Sequence, residues 1–503
     1  MNGFYVDLFS KLILLFKKWV LNQTILSFFC ICLALLYCIA FVAFLTQYQA
    51  LIGDTGLLPA KQWIDVLQHH QRSFWQHPSV FWFYCSSTVL ATVGVIGLVL
   101  SILCLSGRQH AVIWLGMWVC YLSIVHVGQV FYGYGWESLL LETGFFTIFL
   151  CPFKQFDYPR QSVKTNVVSW LVLWILFRNM FGAGLIKLRG DRVWHDFTAL
   201  YYHFETQPVP NPLSWFFHHL PPFILRAGVA FNHVAELIFP VLVFSPFKYR
   251  RIGAVGIVIF QFMLILSGNL SWLNYLTIVQ CLPAFQTQLF MFRVSYLKKI
   301  NFKQLMCYFP IVFLVIFTVV MSRYPIANMI GSNQQMNAAF NHFFLLNTYG
   351  AFGHVGKERY ELVVLGTTDT SITSTTVWKE YLFKAKPNRP KDRLPIVSPF
   401  HYRLDWQIWF AAMVPQLKDP WLLHFVYKLL IGDQQTRQLL QQDPFVDTAV
   451  RFIKIDRYLY SFDADKFSTG QTWNRQFVNS YCPPLHQDSP MLLEELKRFG
   501  WNN

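Results

Sequence analysis

The chain contains 503 residues with a mass of 59.0 kDa, of which 54% are hydrophobic and only 13% are charged. Globular domains carry roughly 25% charged residues, so this composition excludes an ordinary soluble enzyme and a disordered protein. The chain has a net charge of +15. In a membrane protein such an excess of Lys and Arg indicates basic cytoplasmic loops next to lipid headgroups. Since no nucleic-acid-binding motif occurs, we predict an integral membrane protein that contacts the bilayer and no nucleic acid.

Long apolar stretches fill the first two thirds of the chain. A transmembrane helix requires about 20 apolar residues. Seven of the stretches are clear candidates, and two are weaker candidates, one because it is short and one because it carries several polar residues. The clear stretches are 25–45, 80–105, 111–130, 167–188, 223–244, 252–267 and 306–321, and the weaker ones are 137–150 and 271–292. We therefore predict an α-helical polytopic membrane domain with about nine transmembrane helices over residues 1–321.

Basic residues are unevenly distributed between the loops that join these helices. With a cytoplasmic N-terminus, the inner segments carry 14 Lys and Arg residues and the outer loops carry 4. The inner segments are 1–24, 106–110, 151–166, 245–251 and 293–304, and the outer loops are 46–79, 131–136, 189–222 and 268–270. Positive residues stay in the cytoplasm because their translocation is costly. An odd number of spans then places the C-terminal region in a lumen or periplasm, that is, in the endoplasmic reticulum or outside a bacterial inner membrane.

Several ionisable residues lie inside the predicted helices, where charges are costly and face a partner or a cavity. Asn232 and Glu236 are four residues apart and share one helix face, and we expect Glu236 to pair with Arg178 or Lys187. The predicted polar network comprises Glu142, Arg178, Lys187, Asn232 and Glu236. A role in fixing helix packing is favoured over a reaction site.

The alternative interpretation of this region is a membrane-embedded enzyme that acts on a lipid, a quinone or a peptide. Its catalytic residues would be Lys187, His203, His233 and Glu236, because desolvation lowers the pKa of a buried lysine towards that of a useful base. The sequence contains no serine-hydrolase elbow, nucleotide-binding loop, zinc-protease motif or Cys-x-x-Cys pair. We predict neither a metal site nor a cofactor.

Residues 322–503 are predicted to form an extramembrane α+β domain. The stretches 360–367 and 375–384 indicate a β-hairpin, and the segments predicted to be helical are 405–414, 420–431, 434–441, 444–460 and 490–499. A stretch rich in aromatic residues and Arg begins at Ser398, and its candidate binding residues are Tyr402, Arg403, Asp405, Trp406 and Trp409. This composition is typical of binding hot spots and equally of a domain that docks on its own membrane interface.

Six stretches of mixed polarity together resemble the lipase maturation factor family. They are GYGWESLLLETG at 133–144, FGAGLIKLRGD at 181–191, YHFETQPVPNPLSW at 202–215, LSGNLSWLNYLT at 266–277, NTYGAFG at 347–353 and SPFHYRLDWQIWFAA at 398–412. The resemblance covers residues from about 130 to 483 and rests on long strings that are unlikely to recur by chance.

The resemblance implies a polytopic membrane protein that assists the folding and dimeric assembly of secreted lipases. It also implies an exported, lipase-like client and a C-terminal region on the luminal side, which agrees with the charge distribution. A more remote similarity to membrane proteins related to vitamin K-dependent carboxylase supports the enzyme alternative. The sequence does not define an oligomeric state.

Overall fold

The computed structural model describes residues 25–287, 289 and 302–501 of the chain. The basic segment 1–24 and most of 293–304, which enter the prediction of orientation, lie outside these residues. Within the described part, a bundle of apolar helices is followed by a mixed domain of strands and helices.

Each of the nine predicted membrane stretches overlaps a helix, although positions 288 and 290–292 of the stretch 271–292 lie outside the described residues. The helices are α1 (Ile25–Leu45), α2 (Ser87–Leu105), α3 (Ala111–Val127), α4 (Gly135–Leu150), α5 (Val163–Arg189), α6 (Pro222–Leu242), α7 (Phe247–Ser267), α8 (Leu273–Cys281) and α9 (Phe302–Met321). In the described residues, six helices are long and apolar enough to cross a membrane, the last of them from Phe309 through α10 (Arg323–Ile330), whereas α3 and α8 are shorter apolar helices. The helical, polytopic architecture is thus confirmed.

The membrane helices pack through aromatic and small side chains and leave apolar side chains on their outer surfaces. Tyr37 of α1 is fully buried and donates a hydrogen bond to the carbonyl oxygen of Leu140 in α4. On the outside, large apolar residues such as Phe313 and Val319 of α9 are exposed. An extended apolar surface of this kind is expected where a protein faces lipid.

The C-terminal part contains a four-stranded antiparallel sheet in the order β2-β1-β5-β6 and a separate two-stranded sheet of β3 and β4. The strands are β1 (Arg359–Thr367), β2 (Lys379–Glu380), β3 (Leu382–Phe383), β4 (Leu440–Gln442), β5 (Phe452–Phe462) and β6 (Trp473–Leu485). The helices are α11 (Arg403–Met413), α12 (Pro420–Leu430) and α13 (Pro490–Phe499). The predicted α+β architecture and the hairpin between β1 and β2 are confirmed.

The prediction of a helix over 444–460 is wrong, because most of this segment forms β5. Ile453 and Ile455 alternate with Lys454 and Asp456 along the strand, and the two isoleucines are fully buried. A period of two with β-branched residues favours a strand, and the long antiparallel pairing with β1 fixes it. Strand β6, which the sequence analysis did not identify, pairs with the other edge of β5.

The C-terminal domain packs on one end of the helix bundle. All four loops predicted to be outer make hydrogen bonds to it. The contacts run from Gln47 Nε2 to the carbonyl oxygen of His401 (2.8 Å), from Arg403 Nη1 to that of Phe131 (2.7 Å), from Arg359 Nη2 to that of Pro208 (3.0 Å) and from Asn269 Nδ2 to that of Pro395 (3.0 Å). The four loops and the domain therefore lie on one side of the bundle, which we call the loop side.

Candidate functional site

A cavity of about 500 Å³ lies where the helix bundle meets the C-terminal domain, and we call it the junction cavity. Its wall is formed by the loop-side ends of α5, α6, α7 and α8, by Gly133–Trp136 at the start of α4, by parts of the segments 194–220 and 336–356, and by α11. Membrane helices and the extramembrane domain thus build one site together.

Lys187, Asn232 and Glu236 form a buried cluster on the wall of the junction cavity. Lys187 Nζ lies 2.5 Å from Glu236 Oε1 and 3.1 Å from Asn232 Oδ1, and Asn232 Nδ2 donates to Glu236 Oε2 at 3.0 Å. The ammonium group also lies 4.9 Å from the ring centroid of Trp194. Of the two expected partners of Glu236, the structure selects Lys187. The carboxylate sits in a short π-helical turn within α6, a distortion often found at functional sites.

Arg178 pairs instead with Glu142, in a second buried cluster. Its Nη2 binds Glu142 Oε1, and its Nη1 donates to the carbonyl oxygen of Asn347 at 2.6 Å. Tyr349 Oη donates to Glu142 Oε2 at 2.6 Å. The five residues predicted to form one network therefore form two clusters, and the second ties the segment around residue 348 to α4 and α5.

The two histidines of the enzyme interpretation have different surroundings. His203 lines the junction cavity, is buried, and stacks edge-on against Phe352 with ring centroids 4.7 Å apart. Burial and the nearby Lys187 lower the pKa of His203 to about 4. His233 Nε2 donates to the carbonyl oxygen of Trp194 at 3.2 Å and does not belong to the described wall. Three of the four proposed catalytic residues thus share the wall.

The residues predicted to bind a client lie mostly inside the junction between the two domains. Arg403 is fully buried, with Nη1 2.7 Å from Glu137 Oε1 of α4. Asp405 Oδ1 accepts hydrogen bonds from the backbone N–H groups of Ala385 (2.6 Å) and Lys386 (3.0 Å). Burial raises the pKa of Asp405 to about 6.

The aromatic side chains of α11 face the membrane domain. The buried Trp406 packs on Trp136 with ring centroids 4.9 Å apart. Trp406 and Trp409 both line the junction cavity, and Tyr402 and Trp409 are half-buried. Of the two interpretations of this stretch, docking on the protein's own membrane interface describes Arg403 and Trp406, whereas Asp405 bonds within the C-terminal domain.

Sequence reasoning missed several residues that build the site. Glu137 is fully buried between Arg403 and Tyr121 and anchors α11. Gln261 and Asn274 bond to each other at 2.8 Å on the wall. Polar residues in apolar helices are the signal that could have identified them, but their partners are distant in the sequence.

All six stretches that carry the family resemblance contribute residues to the wall of the junction cavity. Representative wall residues, in stretch order, are Trp136, Lys187, His203, Asn274, Tyr349 and Trp406. Segments separated by more than 250 residues in the sequence thus meet at one site.

Comparison with known proteins gives a consistent picture. The family model described as "Lipase maturation factor transmembrane domain" matches residues 24–292, and that described as "Lipase maturation factor C-terminal domain" matches residues 345–483. The chain is 36% identical to mouse Lipase maturation factor 1 over 93% of its own length and 87% of the relative's.

More distant relatives cover the chain equally well. Human Lipase maturation factor 1 is 35% identical, with 93% of this chain and 88% of the relative covered. Human Lipase maturation factor 2 is 26% identical, with 93% and 83% covered. No solved structure gives a significant match.

Proposed function

Because the chain belongs to the lipase maturation factor family, we propose that it is an integral membrane factor that helps secreted lipases reach their active fold. The observation that carries the proposal is the convergence of all six family-like stretches on the junction cavity. In this proposal residues 1–321 anchor the protein, and residues 322–503 contact the lipase.

The geometry of Lys187 supports this function over the enzyme alternative. A general base needs a free lone pair, whereas the ammonium group of Lys187 is held between Glu236 and Asn232. The cluster is arranged as a structural ion pair with its hydrogen bonds satisfied.

We place the client contact at the outer part of α11. Arg403, Asp405 and Trp406 position the helix, and Tyr402 and Trp409 remain half-buried. Phe410 and Met413 follow on the last turn, and both are exposed. Exposed aromatic and thioether side chains bind varied apolar surfaces, which suits an incompletely folded client.

The charge distribution supports a cytoplasmic N-terminus and a loop side that faces the lumen of the endoplasmic reticulum or a periplasm. An exported lipase would then meet the C-terminal domain after translocation. Protease digestion of sealed vesicles tests this orientation: the C-terminal domain should be cut only after the membrane is opened by detergent.

The function is tested by removing the gene from its host and measuring the specific activity and the amount of secreted lipases. We expect lipase activity per molecule to fall while lipase synthesis is unchanged, and the intact gene to restore it. Equal specific activity with and without the gene would refute the proposed function.

The proposed client contact on α11 is tested by reintroducing the gene with Trp409→Ala into the strain that lacks it. The matched control is Trp378→Ala, which removes another half-buried tryptophan of the same domain, far from α11 in the sequence. We expect only Trp409→Ala to lower lipase specific activity at equal protein levels. Equal effects of the two substitutions would exclude α11 as the client contact.

A further inference from the structure

We propose that the junction cavity binds one long-chain acyl group of a lipid. Its volume of about 500 Å³ lies within the range of roughly 300–1,000 Å³ found for small-molecule sites. Most of its wall is apolar, and the side chains that give it this character include Phe204, Phe231, Phe260, Leu264, Leu270 and Leu273. The inference rests on the cavity and not on lipase maturation.

The polar groups on the wall are largely occupied by one another. Lys187, Asn232 and Glu236 form a cluster without net charge. Asn179 Nδ2 donates to Thr277 Oγ1 at 3.0 Å, as Asn274 does to Gln261. A wall of this kind has little capacity left to bind a charged or strongly polar ligand.

Because the polar groups on the wall are already bonded to one another, the cavity favours an acyl chain over a peptide segment. Every residue of a bound peptide brings an N–H and a C=O group, and each unsatisfied group costs free energy in an apolar site. An acyl chain brings none along its length and gains from the burial of its methylene groups.

The wall is continuous with the lipid-facing surface of the bundle. Ile224 of α6 and Met263 of α7 line the cavity and are 39% and 41% exposed. Phe223 and Phe262 next to them are exposed apolar residues of the same helices. A chain from the bilayer can therefore enter sideways between α6 and α7 without crossing water.

His203 offers a hydrogen bond for the polar end of the acyl group. Within the described part of the chain its imidazole ring has no hydrogen-bond partner, although the side chain is buried on the wall. Its pKa of about 4 keeps the ring neutral at pH 7, so one ring N–H remains to donate to an ester or carboxyl oxygen.

The test uses photoactivatable lipids and the full chain in phosphatidylcholine nanodiscs. One sample contains phosphatidylcholine with a diazirine on its acyl chain, and the other contains a free diazirine fatty acid. After irradiation, mass spectrometry maps the adducts. Phe204 and Leu270 report on the cavity because they line it and are buried, and the exposed Val319 of α9 reports on bulk lipid.

Cavity-filling variants separate specific from general labelling. Ala351→Phe adds a ring to the wall, and Ala339→Phe adds the same ring to an exposed position of the same segment outside the wall. We expect Ala351→Phe to remove adducts on Phe204 and Leu270 while adducts on Val319 persist, and Ala339→Phe to change nothing. Ala183→Leu provides a second filling variant if the first does not fold.

The polar end is tested by His203→Leu, which should lower labelling of the cavity about fivefold, as expected for the loss of one hydrogen bond.

Cavity labelling by the phosphatidylcholine probe identifies a bilayer lipid, and labelling by the fatty acid identifies a free acid; both support the inference. Adducts on Val319 without adducts on Phe204 and Leu270 would overturn it, as would cavity adducts that persist in both filling variants. The labelling experiment does not measure lipase activity, so its outcome is independent of the experiment that tests the proposed function.

Discussion

Two buried ion pairs fix individual residues at the loop side of the bundle. The attraction between buried charges offsets the loss of hydration only when further hydrogen bonds complete each group. Asn232 supplies them for Lys187 and Glu236, and Asn347 and Tyr349 supply them for Arg178 and Glu142. The first pair joins α5 to α6, and the second joins α5 to α4 and to the segment that leads into the C-terminal domain.

At this scale we predict that the charges of Lys187 and Glu236 matter only as a pair. Glu236→Gln leaves the ammonium group buried without a counter-charge, so it should lower the free energy of unfolding by about 3–5 kcal/mol. The double variant Lys187→Met with Glu236→Gln should recover most of this loss. Thermal unfolding of the three proteins in detergent measures it.

The same variants separate the structural from the catalytic interpretation. If the double variant is stable and still supports lipase activity, the pair acts in structure. A stable double variant that abolishes all function would make this pair catalytic and contradict the structural assignment.

Among the secondary structure elements, α11 connects the two halves of the molecule. The guanidinium group of Arg403 lies 3.5 Å from the ring centroid of Tyr132 and bonds to Glu137. Trp406 fills the space against Tyr134 and Trp136. The position of α11, and with it the wall of the junction cavity, therefore depends on membrane residues.

We predict that Arg403→Met releases α11 from the bundle. Glu137 would remain buried opposite an apolar side chain, which costs about 3–5 kcal/mol. Limited proteolysis should cut the chain near α11 much faster than in the unmodified protein. Arg389→Met is the control, because its pair with Asp392 is exposed and such pairs contribute about 0–1 kcal/mol. Equal cleavage rates in both variants would contradict the assigned role of Arg403.

At the scale of the whole molecule, the C-terminal domain acts as a cover over the loop side. Arg359 of β1 bonds to the backbone of the proline-rich outer loop and to Glu361 in its own strand. Trp215 Nε1 of the same loop donates to the carbonyl oxygen of Asp463 at 2.8 Å. Contacts of this kind bury several histidines between the two parts.

These histidines predict that acidification destabilises the protein. Burial lowers the pKa of His203, His218 and His424 to about 4, from about 6.5 in an unfolded chain. Below pH 6.5 the unfolded chain therefore binds protons that the folded one does not, and stability falls as pH falls towards 4. Burial raises the pKa of Glu205 and Asp405 to about 6, which opposes this trend between about pH 4 and 6.

The net loss should be about 1–2 kcal/mol per pH unit between pH 7 and pH 5.5. Thermal unfolding in detergent across this interval measures it. His424→Gln removes one of these titrating groups and should therefore make the pH dependence shallower. The glutamine amide can still donate to the carbonyl oxygen of Leu57, which lies 2.8 Å from His424 Nδ1. A melting temperature that is constant or rises on acidification would contradict the prediction.

Much of the architecture follows from local properties of the sequence. Apolar length alone predicts most of the membrane helices, because a span needs about 20 such residues whatever its neighbours are, whereas α4 and α8 come from the two weaker stretches. The hairpin of β1 and β2 follows from two runs of strand-forming residues and the Ser/Thr/Asp-rich turn between them. Strand β5 follows less directly, because the alternation at residues 453–456 covers only a small part of the stretch 444–460, and the pairing with β1 and β6 that fixes the strand joins distant segments.

The site divides in the same way. The sequence by itself determined that charges such as Lys187 and Glu236 must find partners, because an apolar environment leaves a charge no other favourable state. Only the tertiary structure decided which partners they find, that Arg403 turns inward to Glu137, and that six distant stretches enclose one cavity. The reason is physical: burial and pairing depend on distances between elements, and the order of residues along the chain does not fix those distances.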